Sequence, residues 1–435
     1  MTGVTGPSGP SSALFTDHYE LTMLQAALRD GTSTRRCTFE LFARRLPDGR
    51  RYGVVAGTGR LLESLDAFRF SDDDLAWLSD TGVIDQQTCQ WLGDYHFGGD
   101  ITGYAEGELY FPGSPVLTVE GTFAEAVVLE TLALSIFNHD SAIASAAARM
   151  VVAAGDRRCI EMGSRRTHEE SAVAAARAAY LAGFASTSNL AAGERYGIPT
   201  SGTAAHSYTL LHDSEEAAFR AQVAAFGVGT TLLVDTYDIA QGVRTAIEVA
   251  GPELGAIRID SGDLPVMAQQ ARDLLDSLGA RRTRIVLSGD LDEFALAALA
   301  GAPVDAYGVG TSVVTGSGAP TAGFVYKLVA VDGRPVAKRS HDKTTRGGRK
   351  TAVRRHRSTG TATDEVVCVG GPPPPQPGDR PLQRPFVEAG QVVADVPSLT
   401  DARTHLRQAT STLPWEGLKL SRGEPAVPTV LQEAP

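Results

Sequence analysis

Between residues 158 and 312 the chain repeats one rhythm, and that rhythm constrains the fold more than any other feature. A short apolar run is followed by a polar or Gly-rich loop and then by a helical segment. Runs at 158–162, 184–188, 231–235, 255–260, 283–287 and 304–307 read as strands, and 200–205 leads into another. Segments 169–181, 239–250, 264–278 and 292–299 read as helices, and Asp213 with Glu216 forms a capping-box signature for a helix running to about residue 226. Repeated βα units imply a parallel sheet, because parallel strands need a crossover connection. Asp235, Asp260, Asp290 and Gly310 all fall at or just past strand C-ends. That edge carries the ligand site in a (β/α) barrel and equally in a doubly wound open sheet. Periodicity does not separate the two.

The flanks differ. Short strands at 36–42, 99–104 and 116–119 mix with helices such as 20–28. From residue 324 the pattern is one of hairpins: 325–331, a turn at Asp332 and Gly333, then 335–339, with a helix near 401–406. The 435 residues exceed the ~250–300 at which one core stops growing, so two domains are expected. The expected division is a flexible tail (1–12), a first α/β part (13–120), a βα region with the active site (121–323), and a segment (324–435) that completes the N-terminal domain and carries a stiff Pro-rich loop at 371–377.

Composition narrows the function. A net charge of −11 argues against nucleic acid, despite the Arg-rich run at 346–357. Cys37, Cys89, Cys159 and Cys368 are scattered with no CxxC pair, so neither a zinc site nor a disulfide framework is expected. A reducing, cytoplasmic setting follows. The Gly/Ser/Pro-rich start has no basic and apolar signal pattern, and no run reaches the ~20 apolar residues that span a bilayer.

Several segments carry chemistry. His206 is flanked by the small Ala204 and Ala205, which leave room for a bulky partner; imidazole there can be base, ligand or nucleophile. Alternation puts Arg258 and Asp260 on one side of a strand, before the turn of Ser261, Gly262 and Asp263. This suits a loop holding ribose and phosphate. Ser288-Gly289-Asp290 and Gly308 to Ser312 are consecutive Gly/Ser loops of the kind that bind phosphate through backbone N–H groups. Arg165 and Arg166 follow a strand and match carboxylate or phosphate. Physics alone reaches an α/β enzyme for a phosphorylated, hydroxylated substrate.

These segments resemble nicotinate phosphoribosyltransferases. The likeness runs in order through Leu14 to Met23, Phe39 to Pro47, Phe137-Asn138-His139, Gly163 to Arg166, Gly202 to Ser207, Asp235 to Asp238, Arg258 to Asp263 and Tyr307 to Ser312, then thins to Lys343-Thr-Thr and Gly348-Arg-Lys350. The resemblance implies an irregular (β/α) barrel plus an α/β domain built from both termini. It implies a head-to-tail homodimer with shared active sites, in which Tyr19 of one copy stacks on the pyridine ring of the other's site. The family's aromatic residue on the opposite ring face is replaced here by Met162. It also implies nicotinate, phosphoribosyl pyrophosphate and ATP as substrates, with Mg²⁺. ATP would phosphorylate His206, and Asp235 would orient it or the metal assembly. Asp260 would hold ribose hydroxyls beside Ser261 and Gly262. Gly289, Asp290, Gly310 and Thr311 would cradle the 5′-phosphate. Arg165 and Arg258 would face the pyridine carboxylate or the pyrophosphate, with Ser207 and Asn189 nearby.

Rivals are weighed on residues. Nicotinamide-using relatives carry an aspartate near the place of Thr187, Ser188 and Asn189, and none stands here. Quinolinate-using relatives need further basic residues and no ATP, which the His206 segment argues against. A Schiff-base aldolase wants a lysine on a barrel strand, and none lies between Ala154 and Pro320. A ligand-binding pseudoenzyme sits poorly with the intact histidine, aspartates and arginines.

Overall fold

The structure, a computed structural model, describes residues 11–338, 346–393 and 396–434. Most of the 1–12 tail, Lys343 and the end of the 335–339 strand lie outside them. The chain forms two compact units, residues 1–145 with 321–435, and residues 146–320. The division falls inside the helix Glu130–Ala154. The sequence reading places it at 120/121 and 323/324 instead. The later boundary has a physical origin: the hydroxyls of Ser141 and Ser145 accept the N–H groups of Ala56 and Val54, which holds the front of that helix to the first unit.

The first unit is built on a seven-stranded sheet. Its centre is Arg36–Ala43, which pairs antiparallel with Phe324–Val331 on one side and Leu117–Thr122 on the other. The two ends of the chain thus meet in one sheet. The hairpin after Phe324–Val331 turns through Asp332 and Gly333, both with positive φ as such a tight turn requires. A four-stranded sheet, which includes Lys350–His356 and Ala362–Val369, completes the unit. The C-terminal helix is longer than the sequence reading, spanning Leu399–Ser411 behind a capping box on Ser398.

The second unit holds six parallel strands: β1 (Arg158–Glu161), β2 (Ser186–Thr187), β3 (Thr231–Leu233), β4 (Ala256–Ile259), β5 (Arg284–Gly289) and β6 (Ala306–Val309). Their order is β2-β1-β6-β5-β4-β3. The first strand therefore pairs with the last, and the edges are β2 and β3, which are consecutive in the chain. A sheet with that cyclic order is a parallel half-barrel within a mixed α/β fold. Thr200 adds only an isolated bridge to Thr187, where the sequence reading expects a strand over 200–205. Buried Ile257, Ile259, Ile285 and Leu287 give the near-continuous apolar character of strands covered on both faces. Helices Glu169–Leu181, Ile239–Ala250 and Leu264–Ser277 supply the crossovers. Helix Glu215–Phe226 starts at Ser214, whose hydroxyl accepts from Ala217 N–H. The cap is thus one residue later than Asp213, because Ser214 takes the extended backbone that a cap needs.

Candidate active site

The candidate residues of this unit gather at the C-ends of the strands. β3 delivers Asp235, whose side chain is 1% exposed. Its Oδ1 accepts from His206 Nε2 at 3.0 Å. Its Oδ2 accepts from the Asp260 N–H at 2.9 Å and from the Ser261 hydroxyl at 2.7 Å. With both oxygens committed, Asp235 is held rigidly and fixes the imidazole in turn. An ionised carboxylate only accepts, so this contact selects, for a neutral imidazole, the tautomer with its hydrogen on Nε2 and its lone pair on Nδ1. His206 opens the short helix His206–Leu210, and its side chain is 40% exposed, so Nδ1 is within reach of a substrate.

Arg258 and Asp260 share one side of β4 and pair at 2.9 Å. Arg258 also donates from Nε to the Ser288 hydroxyl at 2.7 Å and from Nη1 to the Thr203 hydroxyl at 3.0 Å. The Ser288 hydroxyl donates to Asp260. Burial disfavours charge on Asp260, but the Ser288 and Arg258 hydrogen bonds, with the positive fields of Arg258 and His206, hold its carboxyl below the usual range. Asp260 is therefore an anion facing the mouth. Glu215, near Asp235 and Asp238, is pushed up to about 7 by burial and then by those two acids.

A second cluster joins β1 to β2. Glu161 ends β1 and is buried. Its two oxygens accept from Gly163 N–H and the Thr187 hydroxyl. Thr187 in turn accepts from Asn189 N–H at 3.0 Å, and Asn189 Nδ2 donates to the Ser164 hydroxyl at 3.1 Å. The loops after β1 and β2 are thus bonded together. Two glycines are required by close approach: a Cβ on Gly163 would lie 2.1 Å from Val314 Cγ1, and one on Gly308 would lie 2.6 Å from Met162 Sδ. The bare backbone of Gly308 makes the space that the Met162 thioether fills.

Around these clusters the remaining residues are open. Arg165 lies in the turn Ser164–Arg166, and with Ser207, Ser261, Gly262, Asp290 and Thr311 it is exposed; Gly289 and Gly310 are half-buried. Tyr19 lies in the first unit, on helix His18–Asp30, and is 45% exposed. Sequence reasoning missed Glu161, Thr187, Ser164 and Thr203 as parts of the site. Glu161 reads as an ordinary acid at the end of the strand Arg158–Glu161. The others show no signal before folding brings their partners close.

Among the described residues, no three His, Cys, Asp or Glu side chains come together as a metal cage. No helix among them is long and apolar enough to cross a membrane.

Sequence comparisons with known proteins point to nicotinate phosphoribosyltransferases. The model of the nicotinate phosphoribosyltransferase (NAPRTase) N-terminal domain matches residues 14–138. The nicotinate phosphoribosyltransferase pncB1 of Mycobacterium tuberculosis is 65% identical over 428 residues, covering 96% of this chain and 95% of that protein. The human nicotinate phosphoribosyltransferase is 32% identical over 498 residues, covering 94% and 92%. The crystal structure of human nicotinic acid phosphoribosyltransferase superposes with a TM-score of 0.84 at 29% identity, covering 96% of this chain and 97% of that one. With two-thirds identity along almost its whole length, the chain belongs to the nicotinate phosphoribosyltransferase family of NAD-salvage enzymes.

Proposed function

We propose that the chain transfers the phosphoribosyl group of phosphoribosyl pyrophosphate to the ring nitrogen of nicotinate, releasing pyrophosphate, and couples this to ATP hydrolysis through His206. The observation that carries the reading is the His206–Asp235 pair, bonded at 3.0 Å with the histidine open to solvent. Nδ1 attacks the γ-phosphorus of ATP and ADP leaves. Asp235 stabilises the imidazolium character that develops as Nδ1 bonds phosphorus. Transfer then breaks the C1–O bond to pyrophosphate as the pyridine nitrogen bonds to C1. Water later takes the phosphoryl group from His206.

The other roles follow from charge and position. Asp260, an anion beside Ser261 and Gly262, accepts from ribose hydroxyls. The half-open loops of Gly289 with Asp290, and Gly310 with Thr311, offer backbone N–H groups to the 5′-phosphate. Arg258 already donates to Ser288, Thr203 and Asp260, so its main effect is on their placement. Arg165 is the more open cation for the pyridine carboxylate, with Ser207 and Asn189 nearby and Met162 against one ring face. Mg²⁺, which keeps waters and favours phosphate oxygens, would neutralise the diphosphate.

The cyclic strand order supports closure into an irregular (β/α) barrel with its seam between β2 and β3. Leu190, Leu210, Leu211 and Tyr237 are exposed on the segments that carry the site. Apolar side chains in that place support a homodimer in which a second copy covers the mouth and supplies Tyr19.

The test is pyrophosphate release by wild type and His206→Ala, offered nicotinate, nicotinamide or quinolinate, with and without ATP. Turnover with nicotinate, with ATP stimulation lost in His206→Ala, is the expected result. Turnover with another pyridine alone overturns the substrate, and no turnover with any overturns the enzyme reading.

A further inference from the structure

Behind the two phosphate loops lies a buried charged group that the chemistry above does not use. Glu293 is the first residue of helix Glu293–Ala298 and is 2% exposed. The helix follows directly on the Ser288 to Asp290 loop. Asp292 locks the junction, accepting from Phe294 N–H at 2.9 Å and Ala295 N–H at 2.8 Å. One Glu293 oxygen accepts from Arg149 Nε at 3.1 Å, and Arg149, on helix Glu130–Ala154, is itself 4% exposed. The other oxygen accepts from the Ser317 hydroxyl.

Ser317 belongs to the second loop. It follows Gly310 and the helical turn Thr311–Val314, and its N–H donates back to Ser312 C=O at 2.6 Å. Gly316, Ser317 and Gly318 have φ of 62°, 52° and 82°. The left-handed region is open to glycine and unfavourable for a residue with a Cβ. A serine between two glycines there has one thing glycine lacks, a hydroxyl, and that hydroxyl is on Glu293. A strained non-glycine backbone of this kind marks a place where surrounding contacts dictate the conformation.

We propose that Arg149, Glu293 and Ser317 form a strut that holds the loop of Gly289 and Asp290 in register with the loop of Gly310 and Thr311. They are positioning residues for the 5′-phosphate of the phosphoribosyl donor. The proposal rests on the reading that those two loops cradle that phosphate. The physical reason for a buried carboxylate is that it tolerates no half-made arrangement. Its charge must be fully hydrogen-bonded once out of water, so both loops are held or neither is. A phosphate bridged by backbone N–H groups from two loops needs that register, because misplacement of about 1 Å can cost on the order of a hundredfold in rate.

Ser317→Gly tests this, since the lost hydroxyl contact and the relieved backbone act in opposite directions on stability. The readouts are KM for phosphoribosyl pyrophosphate, KM for nicotinate, the inhibition constant of ribose 5-phosphate, and Tm. The expected result is a rise of about five- to tenfold in donor KM and in the ribose 5-phosphate constant, with nicotinate KM within about twofold. Glu293→Gln keeps the shape and should raise donor KM in the same sense. Thr311→Ala reports on the phosphate loop itself. Unmoved donor constants in folded Ser317→Gly and Glu293→Gln, with Thr311→Ala raising them, overturn the strut alone. Unmoved constants in all three overturn the phosphate assignment along with it. A lower Tm with unmoved constants reduces the triad to a packing contact and also overturns the proposal.

Discussion

Two of the charged side-chain networks among the described residues, one at the mouth of the half-barrel and one in the first unit, differ in where their charge meets solvent. At the mouth of the half-barrel, His206, Asp235, Asp260, Arg258, Ser261 and Ser288 are joined by hydrogen bonds, yet His206 stays open to solvent. In the first unit, Arg354 donates to Glu108 at 3.2 Å, to Leu109 C=O at 2.8 Å and to Glu365 at 2.5 Å. Glu108 also accepts from Arg380 at 2.6 Å and His405 at 2.8 Å, and Glu365 accepts from the Tyr104 hydroxyl at 2.7 Å. Arg354, Glu108 and Glu365 are each essentially sealed from water, and the Arg354 guanidinium lies 5.0 Å from the Phe111 ring centroid. The sealed network joins Lys350–His356, Ala362–Val369 and the C-terminal helix Leu399–Ser411. Burial of charge alone therefore does not identify a site. At the mouth the fixed charge stands at strand C-ends beside exposed loops, whereas the Arg354 network opens to solvent through Arg380 and His405 at its rim.

Substitutions can break that comparison. The largest effect is expected from Arg354→Met, which leaves Glu108 and Glu365 short of a buried partner. Removing one member of a buried pair costs about 3–5 kcal/mol. Chemical denaturation should show that loss, while the folded fraction keeps its turnover; unchanged stability would mean the network is ornamental. Next comes Asp235→Asn. The amide turns a hydrogen toward one of three donors, so the imidazole loses its orientation. We expect a fall of at least about 100-fold in ATP-coupled turnover with stability almost unchanged. A fall in Tm without a fall in turnover would make Asp235 another sealed structural acid.

The third prediction is smaller and depends on pH. Glu20 is fully buried and accepts from Thr131, and burial pushes its carboxyl up to about 7. The folded state then binds a proton that the unfolded state has released above its ordinary value near 4.5. Stability contributed at this position is complete below that value and is lost as pH rises toward 7. Glu20→Gln should therefore raise Tm most at pH 8, with the gain shrinking as pH falls toward 5. An equal gain at both ends would mean the carboxyl is already ionised in the fold.

Legibility in the sequence followed the distance over which each force acts. Helix Ile239–Ala250 and the strand–turn–helix from Arg258 to Asp263 were readable, because periodicity, caps and turn residues act within a few positions. The Arg258–Asp260 side was readable for the same reason, the two lying two residues apart. The cap at Ser214 was misread by one residue because Asp213 offers similar chemistry and only the backbone chooses. The pairing of Asp235 with His206, separated by 29 positions, was expected from the family resemblance and not from the pattern of the residues.

What the sequence by itself determined is the βα alternation, the parallel sheet it entails, and the reactive residue types at the strand ends. The tertiary structure alone decided which of those residues touch. It alone set Arg36–Ala43 beside Phe324–Val331, and it bonded Glu40 to Lys350 across 310 positions at 2.6 Å. Local hydrogen bonding and amphipathic period leave marks on neighbouring residues, whereas a strand's partner or a buried charge's counter-ion is selected among many distant candidates by packing of the whole unit. The same reason hid Glu161 and the Glu293 strut: each is an ordinary acid in the sequence, and only burial against specific donors gives it a task.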